Sequence, residues 1–246
     1  MNGFKEKLNT ALISAGYEVE EKKLDRLVRY FDLLIEKNKV MNLTAITEED
    51  EFITKHFLDS LSITKFTEEG KEIASGKELT VIDVGTGAGF PGMVLKIVYP
   101  NLKMTLFDSL QKRLTFLNEA IEDLGLTGIE TKHGRAEDLG HDKAYREKMD
   151  LVLARAVANM STLSEYCLPL TKLGGQFIAY KSSELPEELE KAGKAIGLLG
   201  GKLLEQKSFT LPGTDFTRAF AVIKKVKETP NKYPRKAGTP AKEPLS

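Results

Sequence analysis

Apolar positions in the N-terminal part of the chain recur every three or four residues. Phe4, Leu8, Ala11, Leu12 and Ala15 share one helical face, as do Leu24, Leu27, Val28, Phe31, Leu34 and Ile35. The same period predicts a third helix from about Glu48 to Lys65, with Phe52, Ile53, Phe57 and Leu61 inward. The polar stretch "TEEGKEIASGKE" then reads as a linker. From Leu79 onward the pattern changes to short, branched apolar runs alternating with amphipathic stretches. "LTVIDVG", "KMTLFDS", "IETKHG", "DLVLARA" and "GQFIAYKS" read as strands. Helices are expected in "PGMVLKIVY" and "LQKRLTFLNEAIEDLGL", and over about Met160–Leu170 and Glu184–Leu199. Two last strands, about Gly201–Leu211 and Thr217–Val226, flank the turn "PGTD". Strand–helix units ending in a hairpin predict an α/β fold: a doubly wound, mostly parallel seven-stranded sheet with an antiparallel C-terminal hairpin. The expected organisation is a helical extension (1–66), an α/β core (67–227) and a C-terminal tail (228–246).

The chain has 246 residues, enough for one domain with an extension. At 41% hydrophobic and 29% charged residues it has the makings of a soluble core rather than a disordered chain. No apolar run approaches the roughly 20 residues of a membrane span, and the N-terminus lacks the apolar segment of a signal peptide. A single cysteine, Cys167, fits a cytoplasmic protein and excludes an internal disulfide. It lies in the apolar run "SEYCLPL" and reads as core packing. His56, His133 and His141 show no ligand spacing, so no metal is expected.

Net charge is zero, but its distribution is uneven. From Lys224 to Ser246 seven basic residues are opposed only by Glu228 and Glu243, so this end carries +5 and the remainder −5. A basic end of this kind suits a polyanionic partner.

The chemistry concentrates in "VIDVGTGAGFPG", Val81 to Gly92. Small residues alternate where a strand should turn into a helix, which lets a ligand approach backbone N–H groups at the carboxyl edge of the sheet. A tight turn with no ligand would look similar. No Gly-Lys-Ser/Thr follows, which argues against a nucleoside triphosphate, and the dinucleotide fingerprint fails at Phe90. The spacing that fits is Asp83-x-Gly85-x-Gly87-x-Gly89. It resembles the first motif of class I S-adenosylmethionine-dependent methyltransferases, whose fold is Rossmann-like. Asp108, ending "LFDS", stands where a carboxylate can accept ribose hydroxyls, although a dinucleotide enzyme would also want an acid there. "GRAEDL" puts Ala136 and Glu137 where that fold clamps the adenine edge; a solvated first-turn acid is the plain alternative for Glu137.

Seven stretches, the glycine run and "GRAEDL" among them, point to one family. "NKVMNLTAIT", "KHFLDSLS", "DVGTGAGFPG", "DSLQKRLTFL", "GRAEDLG", "LVLARAVANMSTLSEYCLPL" and "TPNKYPRKAGTPAKEPL" resemble the bacterial small-subunit rRNA methyltransferase G family (RsmG, or GidB) along nearly the whole chain. The resemblance implies methylation of guanine N7 at position 527, in the 530 loop of 16S rRNA of the small ribosomal subunit, by a monomeric cytoplasmic enzyme. Carried over by position, it implies cofactor contacts at Gly85, Phe90, Ala136, Glu137 and Arg155. Asp83, Thr86, Gly87, Gly89, Asp108 and Ser109 join them from the two motifs. Guanine N7 has a free lone pair and no proton to lose, so no catalytic base is expected. The alternatives are a non-enzymatic RNA-binding assembly factor and a small-molecule methyltransferase, the latter having no use for a basic tail.

For RNA the candidates are Arg113, Arg155, Lys181, Lys232, Arg235 and Lys236. Arg155 ends the run "LVLA" at the ligand-binding edge, where it can reach a carboxylate or phosphate, or form a structural salt bridge. Arg113 and Lys181 taken singly read as solvated charges. His56, Asp59 and Ser60 are expected either to brace the helices against the sheet or to lie on a lid over the pocket. The proline-rich tail is expected to be extended and irregular, as an RNA-contacting arm or a solvating end.

Overall fold

The computed structural model describes residues 2–245. Its strands are β1 (Thr80–Val84), β2 (Lys103–Asp108), β3 (Ile129–His133), β4 (Met149–Arg155), β5 (Thr171–Lys181), β6 (Gly201–Thr210) and β7 (Thr217–Lys225). They form one sheet in the order β3-β2-β1-β4-β5-β7-β6. The first five are parallel, and β7 inserts antiparallel between β5 and β6. The order reverses between β1 and β4, which opens a crevice at the carboxyl ends of these strands.

Both faces of the sheet are buried, which is why its central strands carry apolar residues at consecutive positions. Leu151 and Leu153 of β4, Ile178 and Tyr180 of β5, and Phe220 and Val222 of β7 join one core. Their neighbours Val152, Ala154, Phe177, Ala179, Ala219 and Ala221 join the other. The second core is roofed by α10 (Met160–Cys167) and α11 (Leu185–Leu198). Cys167 lies within it, fully buried, and burial pushes its thiol well up.

The first core is shared by α7 (Gly92–Val98) and α8 (Gln111–Asp123) with the N-terminal helices α1 (Asn2–Ser14) and α2 (Glu21–Met41). The helical extension therefore covers a face of the sheet. Tyr30 of α2, outside the apolar set expected to face inward, is fully buried and donates to the Ala88 carbonyl of the glycine loop. It sits three residues after Leu27 and four before Leu34, so the helical period already placed it inward.

Two expectations are corrected. The third helix is not one regular helix: α3 (Glu49–Phe52) runs into a π-helical segment, Ile53–Leu58, then α4 (Asp59–Leu61) and α5 (Ile63–Phe66). The wider turn contains His56 and leads into Asp59, and both residues meet Arg155 at the end of β4. The expected linker contains α6 (Glu68–Ala74). Thr67 caps it by accepting from Gly70 N at 3.0 Å, Glu68 and Glu69 occupy its first turn, and Ile73 anchors it in the core.

Candidate functional site: a cleft at the sheet's carboxyl edge

The glycine loop leaves β1 and is held from beneath by Asp83. One oxygen of this carboxylate accepts from Thr86 Oγ1 at 2.7 Å and from Gly92 N at 2.9 Å. The other, Oδ1, is buried with no partner among the described residues. Burial raises the Asp83 carboxyl to about 6, against the pull of those two donors. Gly87 N donates at 2.9 Å to Asp108, the last residue of β2. A Cβ added at Gly87 would meet only the Gly85 carbonyl, at 3.9 Å, so the loop presents bare backbone to open space. Gly89 faces the opposite way, with Met93 at 2.6 Å and Leu117 at 2.9 Å from where its Cβ would stand. The alternating glycines thus have different surroundings: Gly85 lines the cleft described next, Gly87 is open, and Gly89 packs toward α2.

Beside the loop is a cleft of about 310 Å³. Gly85, Asp108, Ser109, Ala136 and Glu137 line it, together with Arg113. Asp108 accepts from Leu110 N at 2.8 Å and from Arg113 at 3.3 Å besides Gly87. A carboxylate has about four acceptor positions, so one remains for a ligand hydroxyl. Ala136 and Glu137 open α9 (Ala136–Leu139) at the end of the adjoining strand β3. Arg135, Val157 and Tyr166 also line the cleft and carried no sequence signal of their own. Burial, with Glu137 and Glu165 nearby, pushes the Tyr166 hydroxyl up to about 12, so it stays protonated.

Four residues of the expected set lie behind this cleft. Asp83 and Thr86 bond each other, Gly89 packs on Tyr30, and Phe90 is buried with its ring stacked on His56 at 4.3 Å between centroids. Arg155 is also drawn away from it. Its guanidinium donates to Asp59 at 2.8 Å and to the Lys55 carbonyl at 2.9 Å, meets His56 Nδ1 at 3.2 Å, and lies 5.3 Å from the Phe90 ring. Arg218, on β7, makes two bonds of 2.8 Å to the same Asp59. The carboxylate is almost fully buried, and Tyr180 of β5 donates to the Ser60 carbonyl at 3.0 Å next to it. Of the two roles considered for His56, Asp59 and Ser60, this geometry is the brace.

Burial, reinforced by the Arg155 charge, lowers the His56 imidazole to about 3, so it is neutral in the folded protein. The unfolded chain takes up a proton near pH 6.5. The contribution of His56 is therefore present above about pH 6.5 and is lost as pH falls toward 3. Asp83 acts in the opposite sense: its contribution is complete below its ordinary 3.8 and is lost as pH rises through about 6. Comparing the wild type with His56→Gln isolates the histidine. Urea midpoints at pH 7.5, 6 and 5 should show the stability gap between them shrinking as pH falls. A constant gap would mean that the imidazole is protonated in place.

The basic candidates are corrected in part. Lys181 does not face solvent: it pairs with Glu188 at 2.6 Å and donates to the Ala158 carbonyl at 2.7 Å. Glu188 also accepts from Met160 N, so this pair staples the loop between β4 and α10. Arg113 is engaged by Asp108, and Arg235 is held by the fully buried Glu165 through its backbone N at 2.7 Å and its guanidinium at 2.8 Å. Lys232 and Lys236 are exposed. The tail is irregular, as expected, apart from α12 (Thr239–Lys242), but it is docked: Tyr233 and Pro240 are buried, and His141 Nε2 lies 2.7 Å from the Pro234 carbonyl. Glu165 and His141, which hold Arg235 and Pro234, are 70 and 93 positions away, beyond the reach of local pattern.

Among the described residues no helix is long and apolar enough to cross a membrane. The sheet and its helices are similar to those of MtNAS in complex with MTA and tNA, with a TM-score of 0.53 at 15% identity over 84% of this chain and 76% of that one. At that identity the likeness concerns the fold. Closer relatives share sequence. The ribosomal RNA small subunit methyltransferase G of Lachnoclostridium phytofermentans is 53% identical over 234 residues, 95% of this chain and 94% of its own length. That of Alkaliphilus metalliredigens is 50% identical over 233 residues, 94% of each chain. The profile of the GidB family, described as rRNA small subunit methyltransferase G, matches residues 23–216. With the profile spanning most of the chain and half the residues shared with these relatives, the chain belongs to the rRNA small subunit methyltransferase G (GidB) family.

Proposed function

We propose that this protein transfers a methyl group from S-adenosylmethionine to N7 of guanine 527, in the 530 loop of 16S rRNA. The reading is carried by family membership over nearly the full chain. The site is consistent with it: bare backbone at Gly87, an acceptor position left on Asp108, and a cleft running on to Ala136 and Glu137. The cofactor would supply an electrophilic methyl on a sulfonium. Asp108 would hold the ribose, Gly85 and Gly87 would take the amino-acid part along their backbone, and Ala136 with Glu137 would face the adenine edge. Because N7 carries no proton at neutral pH, the chain's task is to orient the guanine in line and exclude water.

The test is mass mapping of modified nucleotides in small-subunit RNA from cells with and without the protein. Loss of one methyl from guanine 527 is expected. An unchanged modification map would overturn the proposal.

The RNA contact is assigned to the exposed Lys232 and Lys236. Phosphate contacts raise affinity without reading sequence, and each adds roughly one unit to the salt slope of binding. Replacing both with Ala should weaken binding of ribosomal RNA or small subunits and flatten the slope of log Kd against log salt by about two. Cofactor affinity should not move. An unchanged slope would place the RNA elsewhere.

A further inference from the structure

The last part of the chain is fastened around the cleft. Gly238 N donates to Glu137 Oε1 at 2.8 Å, and Thr162 Oγ1 donates to the Pro240 carbonyl at 3.0 Å. Arg235 is clamped by Glu165 just before this segment, and Pro240 is buried. The result is that Gly238 and Ala241 line the same cleft as Asp108 and Glu137. Their position along it follows from the groups already placed. Asp108 marks the ribose. On one side of it the glycine loop leads away; on the other come Ala136 and Glu137, and next to Glu137, through its hydrogen bond, Gly238.

We propose that Gly238 and Ala241 form a wall of the cofactor site on its adenine side, so that the docked C-terminal segment is part of the cofactor-binding surface. The inference rests on the S-adenosylmethionine reading above. A purine offers a flat apolar face, which gains from close contact with small side chains and loses to bulky ones. Gly238 has no side chain, a Cβ there would meet nothing within 4 Å, and Ala241 presents a single methyl. Ligand binding and docking of the segment are then linked: a ligand that touches the docked segment stabilises it, and docking raises affinity for the ligand.

The experiment uses the full-length protein and S-adenosylhomocysteine as the probe. Calorimetry should show Ala241→Trp weakening binding at least tenfold. Ala241 is exposed in the free protein, so its melting temperature without ligand should match the wild type. Lys242→Trp, which places the same indole one residue on, outside the lining, should bind as the wild type does. Hydrogen exchange provides a second readout on unmutated protein: amides over 238–243 should exchange several times more slowly once S-adenosylhomocysteine is added. Wild-type affinity in Ala241→Trp, or unchanged exchange in this segment while the wild type binds, overturns the wall. Failure of the wild type to bind S-adenosylhomocysteine overturns the cofactor reading and the wall with it.

Discussion

Asp59→Ala is expected to destabilise the protein by about 3–5 kcal/mol, the usual cost of removing one partner from a buried ion pair. Asp59 is 1% exposed, and its partners Arg155 and Arg218 are 11% and 20% exposed. Three charge-assisted bonds of 2.8 Å converge on this carboxylate from β4 and β7. Without it two guanidinium groups face each other, largely out of water, with only the Lys55 carbonyl and His56 left to Arg155. The site cannot fill with solvent cheaply, because Tyr180 and the Phe90–His56 stack enclose it. For a chain of this size each kcal/mol moves Tm by about 2–4 °C, so the melt should fall by roughly 10 °C. Lys71→Ala supplies the contrast. Its pair with Glu68 is 60% and 79% exposed, and breaking it should change stability by less than about 0.5 kcal/mol. Equal melts for the two variants would mean that the Asp59 cluster does not tie the helical extension to the sheet.

The same cluster shows where the sequence stops being informative. Arg155 looked like a ligand contact because it ends a buried strand at the carboxyl edge, and that placement is correct. What periodicity cannot supply is Asp59, 96 positions earlier, whose charge draws the guanidinium toward the helical extension. Strands such as "TVIDV" and "LVLA" were legible because a strand buried on both faces carries apolar residues at consecutive positions instead of alternate ones. The π-helical segment was not, since Ile53 and Phe57 satisfy an ordinary helical period and one extra residue in the turn leaves that pattern intact. In α6 the signal was present at Thr67, Glu68 and Glu69, but polar composition around it suggested a linker. The tail was legible in composition and not in placement: its prolines keep it irregular outside the single turn of α12, while Glu137, Thr162 and Glu165 decide where it docks. Arg235 and Lys236 are adjacent in sequence and have opposite surroundings for that reason.

Gly87→Val and Gly89→Val should separate binding from folding. Both glycines have positive φ, 61° and 91°, so a branched side chain costs about 1–2 kcal/mol at either position. Their surroundings differ. At Gly87 the new Cβ meets nothing closer than 3.9 Å, so the fold should survive with only the backbone cost. The added methyls would, however, stand between the loop and the proposed cofactor. Loss of the close backbone approach should weaken S-adenosylhomocysteine roughly a hundredfold, about 2.7 kcal/mol. At Gly89 the Cβ overlaps Tyr30, Met93 and Leu117. Overpacking of this kind adds about 1–3 kcal/mol to the backbone cost. It also displaces the Tyr30 hydroxyl from the Ala88 carbonyl, which fixes the loop to α2. Gly89→Val should therefore melt far below Gly87→Val, while whatever fraction stays folded keeps an open cleft. Thermal melts and calorimetry on the two proteins measure both effects. Tight binding by Gly87→Val would remove Gly87 from the cofactor site, because no ligand could then be lying against its backbone.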